Sequence, residues 1–318
     1  MLEKLKQRTL ISIAFAGVIY LAITIYIDFD LLLKSFAKFN LLLIPILLLL
    51  SLGNYFARFF KWNYYLKKLI IKVDNKDSLA IFMSGLLMSV TPGKLGELLK
   101  AYLVKTVNKT PVSVTAPIIF AERATDFLSL TILALIGAYI YDYGRNAALI
   151  ITFIILIGII ILTNRRLFDS IMIILAKIRF VEKRIESIER LYHSTYTLLK
   201  LKPLIVAVTI SVISWGFECL GYYLVINNFN NNIGISWSFF SYSFSTIVGA
   251  VSMLPGGLGV TEGSFLLMLT SKGLSTNDAA ATTFITRVAT LWFAVIIGVI
   301  AVIFFQRKFG KISFNNTD

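Results

Sequence analysis

The chain is poor in the residues that do chemistry. Its 318 residues include one histidine, one cysteine and six prolines, and only 15% of positions are charged. The lone Cys219 forms no internal disulfide, and one histidine beside one cysteine builds neither a zinc nor a haem ligand set, so no metal and no cofactor is expected. No Gly-x-x-x-x-Gly-Lys-Ser/Thr stretch occurs, which removes the usual loop for a driving ATP. Acidic residues are scarce, 17 against 31 lysines and arginines. What remains is apolar: 57% of residues are hydrophobic and mean hydropathy is +0.80. Apolar runs of about 20 residues recur, each enough for a hydrocarbon core roughly 30 Å thick. This excludes a soluble domain and predicts an all-α polytopic membrane protein with a single membrane domain over 1–318.

Six spanning helices are expected, at 10–28, 41–63, 112–140, 145–163, 203–227 and 275–305. The basic N-terminus followed by an apolar run without a small-residue cleavage site reads as an uncleaved anchor. Two further apolar stretches, 78–104 and 237–271, are each interrupted by Pro-Gly, at Pro92-Gly93 and Pro255-Gly256. Proline withholds a backbone donor and glycine leaves a helix easily. The arms of the first are about 14 and 11 residues, or roughly 21 and 16 Å, and neither crosses alone. Short cytoplasmic loops carry the excess of lysine and arginine. Treating both stretches as re-entrant hairpins puts 23 of the 31 basic residues on the cytoplasmic side, counting 61–77 and 100–111 as cytoplasmic loops. A through-span at 78–104 would instead turn the basic segment 164–202 outward. The hairpin reading therefore predicts a multi-pass cell-membrane protein with both termini cytoplasmic. The formal charge of +14 then belongs to a lipid-facing surface, and nucleic acid is not an expected partner. Residues 165–202 alternate apolar and basic positions at helical spacing and read as an amphipathic helix on the cytoplasmic face.

The two interruptions resemble each other. Pro92, Gly93, Leu95, Gly96 and Glu97 match Pro255, Gly256, Leu258, Gly259 and Glu262, with Gly257 beside them. An arginine follows at nearly the same distance, Arg123 in one case and Arg287 in the other. Each unit is helix, broken hairpin, helix, over 41–140 and 203–305. The charge map runs the two in opposite senses, so the expectation is an inverted-topology repeat whose breaks meet near the bilayer midplane. Irregular backbone at that depth must line a cavity.

Ionisable residues fall inside the expected spans. Glu122 lies about 15 Å and Arg287 about 18 Å into their helices at 1.5 Å per residue. Glu122 and Asp126 share a helix face beside Arg123. Charges at that depth are expensive and seldom idle. The expected interior set is Lys94, Arg123 and Arg287 against Glu97, Glu122, Asp126, Glu218 and Glu262, an excess of two negative charges if all ionise. Arg58 reads instead as a snorkelling side chain near a helix end, and Trp62 and Trp237 as interfacial belt residues.

With these residues laid out, the chain resembles the transmembrane region of lysylphosphatidylglycerol synthases and related stand-alone flippase-like membrane proteins. The carriers are Pro92-Gly93-x-x-Gly96-Glu97, Glu122-Arg123-x-x-Asp126, Pro255-Gly256-Gly257-x-Gly259-x-x-Glu262 and Arg287. The resemblance implies a bundle with two re-entrant hairpins that moves a lipid headgroup between leaflets. Only about a dozen residues follow Gln306, so the soluble aminoacyltransferase domain of the bifunctional members is not expected. Lysine at 94 and 100 keeps a charge where arginine would also offer a bidentate fork.

The expectation is therefore a transporter rather than an enzyme, moving an anionic lipid, either a phospholipid or a polyprenyl-phosphate-linked glycan. Lys94, Arg123 and Arg287 would hold the headgroup, with Gly93, Gly96, Gly256, Gly257 and Gly259 letting backbone approach it. Glu97, Glu122, Asp126, Glu218 and Glu262 would gate or exchange protons. Its partners would be membrane lipids and, beyond them, a lipid-modifying enzyme or glycosyltransferase. Two rival readings remain. Asp28-x-Asp30 could be the acidic pair of an intramembrane transferase, although a helix end and a cap explain it more simply. The chain could also be a non-transporting assembly partner of an envelope enzyme.

Overall fold

A computed structural model of the chain describes residues 29–92, 95–141, 150, 153, 157–158, 185–230 and 232–310. The expected span at 10–28, most of the one at 145–163 and the start of the 165–202 helix lie outside the described residues. So do Asp28, Gly93 and Lys94. Among the described residues the fold is all-helical. In chain order the helices are α1 (Phe29–Lys38), α2 (Leu43–Lys68), α3 (Asn75–Leu86), α4 (Leu99–Asn108), α5 (Val112–Tyr141), α6 (Ile185–Leu199), α7 (Leu201–Phe229), α8 (Ile235–Val251), α9 (Val260–Ser271), α10 (Thr276–Arg287) and α11 (Phe293–Phe309). A π-helical turn, Val288–Trp292, joins the last two into one run. Among the described residues, three helical runs are long and apolar enough to cross a membrane: Leu43–Lys68, Leu201–Phe229 and Thr276–Phe309.

Helix α2 is built inside out. Ser51, Asn54, Tyr55, Arg58, Lys61, Trp62 and Tyr65 recur every three or four residues and are buried, whereas Leu49, Phe56 and Phe60 are exposed. Polar side chains turn inward because lipid offers them no partner, and they act as glue between helices. Asn54 donates to the Ser214 carbonyl at 2.9 Å and to its hydroxyl at 3.1 Å, tying α2 to α7. The helix runs to Lys68, beyond the expected end at 63, because Tyr65 and Leu66 continue its buried face. Trp62 and Trp237 are both buried, so neither is an interfacial belt residue. Trp62 donates its indole N–H to Ser78 at 3.1 Å, which gives it an internal polar partner.

The two interrupted stretches pack reciprocally. Helices α3 and α4 lie together, as do α8 and α9. The first arm of each lies on the helix that follows the other: α3 along α11, and α8 along α5. Helices α2 and α7 pair extensively, and α6 rests on α5 with Leu198 and Leu199 buried. Helix α1 crosses α10, where Ser35 donates to Asp278 at 2.8 Å. Asp30 lies in the first turn of α1, as a residue favouring a helix start would.

The α3–α11 crossing is set by Gly298. A Cβ built there would lie 2.1 Å from the Leu87 backbone nitrogen, a contact backbone cannot relieve by rotating a side chain. Gly298→Ala is therefore expected to destabilise the protein by about 1–3 kcal/mol, the ordinary cost of overpacking. Gly216→Ala is the control, since no atom lies within 4 Å of a Cβ there. Thermal unfolding of the two variants in detergent checks this; equal melting would mean that the crossing is loose.

Candidate functional site

The first interruption begins where α3 tightens into a 3-10 turn, Leu87–Val90, and ends in a second one, Leu95–Leu98, that leads into α4. The Thr91 hydroxyl donates to the Met88 carbonyl at 2.6 Å and accepts from the Gly96 N–H at 3.0 Å, holding the ends of the gap. The second interruption separates α8 from α9 and has Gly256, Gly257 and Gly259 at φ of 60°, 66° and 84°. At Gly257 a side chain would face that left-handed conformation and also a Cβ position 2.6 Å from the Thr261 hydroxyl. The Gly259 N–H donates to Glu262 at 2.7 Å, so the carboxylate caps α9. Pro92 and Pro255 meet each other in an isolated antiparallel bridge. The two interruptions therefore touch at matching residues.

Beside the first interruption lies a compact ion network. The ammonium group of Lys61 bonds Asp126 and the Ser211 hydroxyl, each at 2.6 Å. Arg58 lies 3.5 Å from Asp126 and 3.9 Å from Glu97. Arg123 reaches Asp126 at 3.0 Å and Glu97 at 3.3 Å. Lys100 bonds Glu122 at 2.5 Å and lies 3.4 Å from Glu97. Its ammonium also sits 4.9 Å from the centre of the Trp62 ring, close enough for cation–π attraction. Beside the second interruption, Arg287 donates to Glu262 and to the Gly256 carbonyl, both at 2.7 Å. Tyr242 donates its hydroxyl to Glu218.

Three expectations change here. Arg58 does not snorkel; it is 5% exposed and faces two carboxylates. Lys61 and Lys100 do not belong to cytoplasmic loops, at 0% and 2% exposure. Nor does the interior carry an excess of two negative charges. Among the described residues Arg58, Lys61, Lys100, Arg123 and Arg287 stand against Glu97, Glu122, Asp126, Glu218 and Glu262, and the set is neutral. Arg58, Lys61, Lys100, Arg123 and Arg287 each lie within 4.0 Å of a carboxylate, which offsets part of the cost of desolvating them. The missed cations had a signal, the three-to-four spacing of Ser51, Asn54, Arg58 and Lys61 along an otherwise apolar helix.

The interruptions and the network border one cavity of about 250 Å³. Arg58, Arg123, Asp126, Glu218, Arg287, Thr91, Gly256 and Gly257 line it, together with apolar surface from Leu86, Phe127, Leu130, Trp215, Phe265 and Leu291. Glu97, Glu122 and Glu262 are buried and are not among its lining residues, and Gly96 and Gly259 lie in the adjoining backbone. Arg58 Nε and Arg123 Nε are buried with no hydrogen-bond partner among the described residues. Asp126 Oδ2 on the same lining is a buried acceptor that likewise makes no hydrogen bond among the described residues. The π turn after Arg287, not anticipated from the sequence, sits at the cavity's edge. There Ser51 donates to the Ala289 carbonyl at 2.7 Å and Tyr55 to the Thr290 carbonyl at 2.8 Å. Among the described residues, histidine, cysteine, aspartate and glutamate form no group of three suited to a metal ion.

Comparison with known proteins finds one family and several relatives. The family model for the lysylphosphatidylglycerol synthase transmembrane region matches residues 9–298. A UPF0104 membrane protein of Methanocaldococcus jannaschii is 28% identical over 224 residues, covering 70% of this chain and 95% of that protein. One from Methanothermobacter thermautotrophicus is 25% identical, covering 77% of this chain and 80% of its own length. A second M. jannaschii member is 22% identical over 96% of this chain and 97% of that protein.

Proposed function

The chain belongs to the lysylphosphatidylglycerol synthase transmembrane-region family, and from that premise we propose that it carries an anionic lipid headgroup between bilayer leaflets. The observation that carries the reading is the shared cavity. Both helix interruptions border it, and the arginines that follow them, Arg123 and Arg287, line it together with Arg58. A structural staple needs no cavity, and a passive bundle needs no buried donors without acceptors.

In this reading the stretches α3–α4 and α8–α9 are re-entrant hairpins within an inverted-topology repeat, set among six spans. Two features support that. The first arms exchange partners, α3 on α11 and α8 on α5, and a twofold axis between Pro92 and Pro255 would pair them antiparallel, as they are. The positive-inside rule puts both termini in the cytoplasm of a cell-membrane protein. Removing Lys61 and Lys100 from the cytoplasmic loops leaves that asymmetry intact. Arg58, Arg123 and Arg287 bind the headgroup phosphate. Asp126, Glu97 and Glu218 compete for the same arginines and release them as the headgroup enters. Glu122 and Glu262 hold Lys100 and Arg287 in place. The protein is a transporter, with lipid as its substrate, and a lipid-modifying enzyme or glycosyltransferase would supply or consume that lipid.

The test is translocation in proteoliposomes containing the purified full-length chain and tail-labelled anionic lipids. Transfer about tenfold or more above protein-free vesicles is expected, equivalent to a barrier lowered by about 1.4 kcal/mol. Rates equal to the protein-free background for every anionic lipid would remove the transport reading.

A further inference from the structure

We infer that the transport is proton-coupled: Glu218 takes up one proton as a monoanionic headgroup enters the cavity, and lipid and proton cross together. This rests on the lipid-transport reading above and adds the ion coupled to it. The ground is the kind of partner each cavity carboxylate has. Glu218 and Asp126 both line the cavity with Arg58, Arg123 and Arg287, so an arriving phosphate places another negative group beside them. Like charges at close quarters are relieved when one carboxylate takes up a proton. Asp126 accepts from Lys61 at 2.6 Å and lies 3.0 Å from Arg123. Lysine and arginine can only donate, so a proton on Asp126 would displace them. Glu218 accepts from the hydroxyl of Tyr242. A phenol donates to a carboxylate and accepts from a carboxylic acid, so this hydrogen bond survives in both protonation states.

The surroundings of Glu218 place proton and phosphate in one compartment. Tyr55 and Arg58 approach it from α2, Tyr242 from α8, Arg123 and Asp126 from α5 and Arg287 from α10, all lining the same cavity. Cys219 is its neighbour on α7. The Arg58 guanidinium lies 6.0 Å from the Trp215 ring, one helical turn from Glu218. A phosphate without the proton leaves like charges facing one another, and a proton without the phosphate removes a counter-charge from the arginines. Both together, or neither, is the cheaper state, and that is a coupling free energy between the two ligands. The second interruption feels the change as well. Tyr242 lies on α8, the arm that leads into it, and its ring packs on Phe265 of α9 with centroids 5.6 Å apart. The hydrogen bond that reverses with protonation therefore sits against both arms of that stretch.

The experiment imposes a pH difference on proteoliposomes holding the full-length chain. The probes are tail-labelled phosphodiester lipids with glycerol and inositol heads, both monoanions whose charge does not titrate near neutral pH. Potassium and an ionophore clamp the membrane potential at zero. With equal pH on both sides, the label is expected to distribute evenly between leaflets. A step of one pH unit should enrich it about tenfold in the leaflet facing the alkaline side, the ratio that one proton per lipid sustains. Glu218→Gln should abolish the enrichment. Tyr242→Phe, which removes the phenol and leaves every charge in place, should cut it several-fold. For the unaltered protein, no enrichment, or enrichment toward the acidic side, would overturn the symport. Full enrichment in a folded Glu218→Gln protein would overturn the assignment to Glu218. An unchanged value in Tyr242→Phe would do the same, even if Glu218→Gln failed to fold. Label that equilibrates faster than in protein-free vesicles but ignores the pH step leaves lipid transport standing, whereas no translocation under either condition defeats both readings.

Discussion

Asp126→Asn is expected to lower stability by about 3–5 kcal/mol, the usual cost of breaking a buried ion pair, and to leave little folded protein at the melting temperature of the parent. Asp126 is where three helices are tied together. It accepts from Lys61 at 2.6 Å and lies 3.0 Å from Arg123 and 3.5 Å from Arg58. Asparagine preserves the shape but removes the charge that three cations share. Lys61, wholly buried, would keep only uncharged acceptors, the amide oxygen of the substituted side chain and the hydroxyls of Ser211 and Thr125. Uncharged acceptors do not compensate a desolvated ammonium, so the loss falls on folding. A second substitution distinguishes this cause from a local packing defect. Lys61→Met removes the stranded cation, and the double variant Asp126→Asn/Lys61→Met should recover part of the loss, giving a coupling energy of about 1 kcal/mol or more. Thermal melts of the four proteins in one detergent measure it. Additive losses would mean that the two side chains do not act as a pair.

Arg123→Gln is expected to do the reverse, slowing lipid translocation by about ten- to a hundredfold while melting nearly unchanged. The loss corresponds to a charge-assisted hydrogen bond to phosphate, worth about 1.5–3 kcal/mol. Stability holds because neither partner of Arg123 is abandoned. Glu97 retains Lys100 at 3.4 Å and Arg58 at 3.9 Å, and Asp126 retains Lys61 and Arg58. The side chain is also 19% exposed, so it is less costly to alter than Lys61. Arg123→Lys should keep intermediate transport, since the charge survives without the planar fork. Arg287 makes a poorer test residue. It is bonded to Glu262 and to the Gly256 carbonyl, so its loss would disturb the second interruption as well as the cavity. Normal transport by a folded Arg123→Gln protein would sink the proposed headgroup site.

The contrast between these two residues also marks how far the candidate site was legible in the sequence. Both were singled out as buried ions, because a charge in an apolar helix is visible in one dimension. Their different roles were not, because they depend on how many neighbours share each carboxylate. Arg58 shows the same limit. Its place near an expected helix end suggested snorkelling, yet α2 continues for another ten residues and turns Arg58 inward. Lys61 was read as a loop residue for the same reason. The buried face of α2 recurs every three to four residues as far as Leu66, a pattern present in the sequence but masked by the abundance of aromatic side chains there.

The sequence by itself determined the class of protein and the position of its weak points. Hydrocarbon thickness sets the length of an apolar run, and the cost of an unsatisfied peptide group forces that run to be helical. Proline and glycine then decide locally where a helix must stop, so the interruptions at Pro92 and Pro255 could be located without coordinates. Tertiary structure alone decided which charges pair. Lys61 and Asp126 are 65 residues apart, and the ten interior ions among the described residues admit many pairings of equal composition. Coulomb energy depends on the separation in space and on the dielectric around each pair, neither of which is a property of residue order. The same holds for the bridge between Pro92 and Pro255 and for the cavity beside it. Both exist because helices distant in the chain pack against one another.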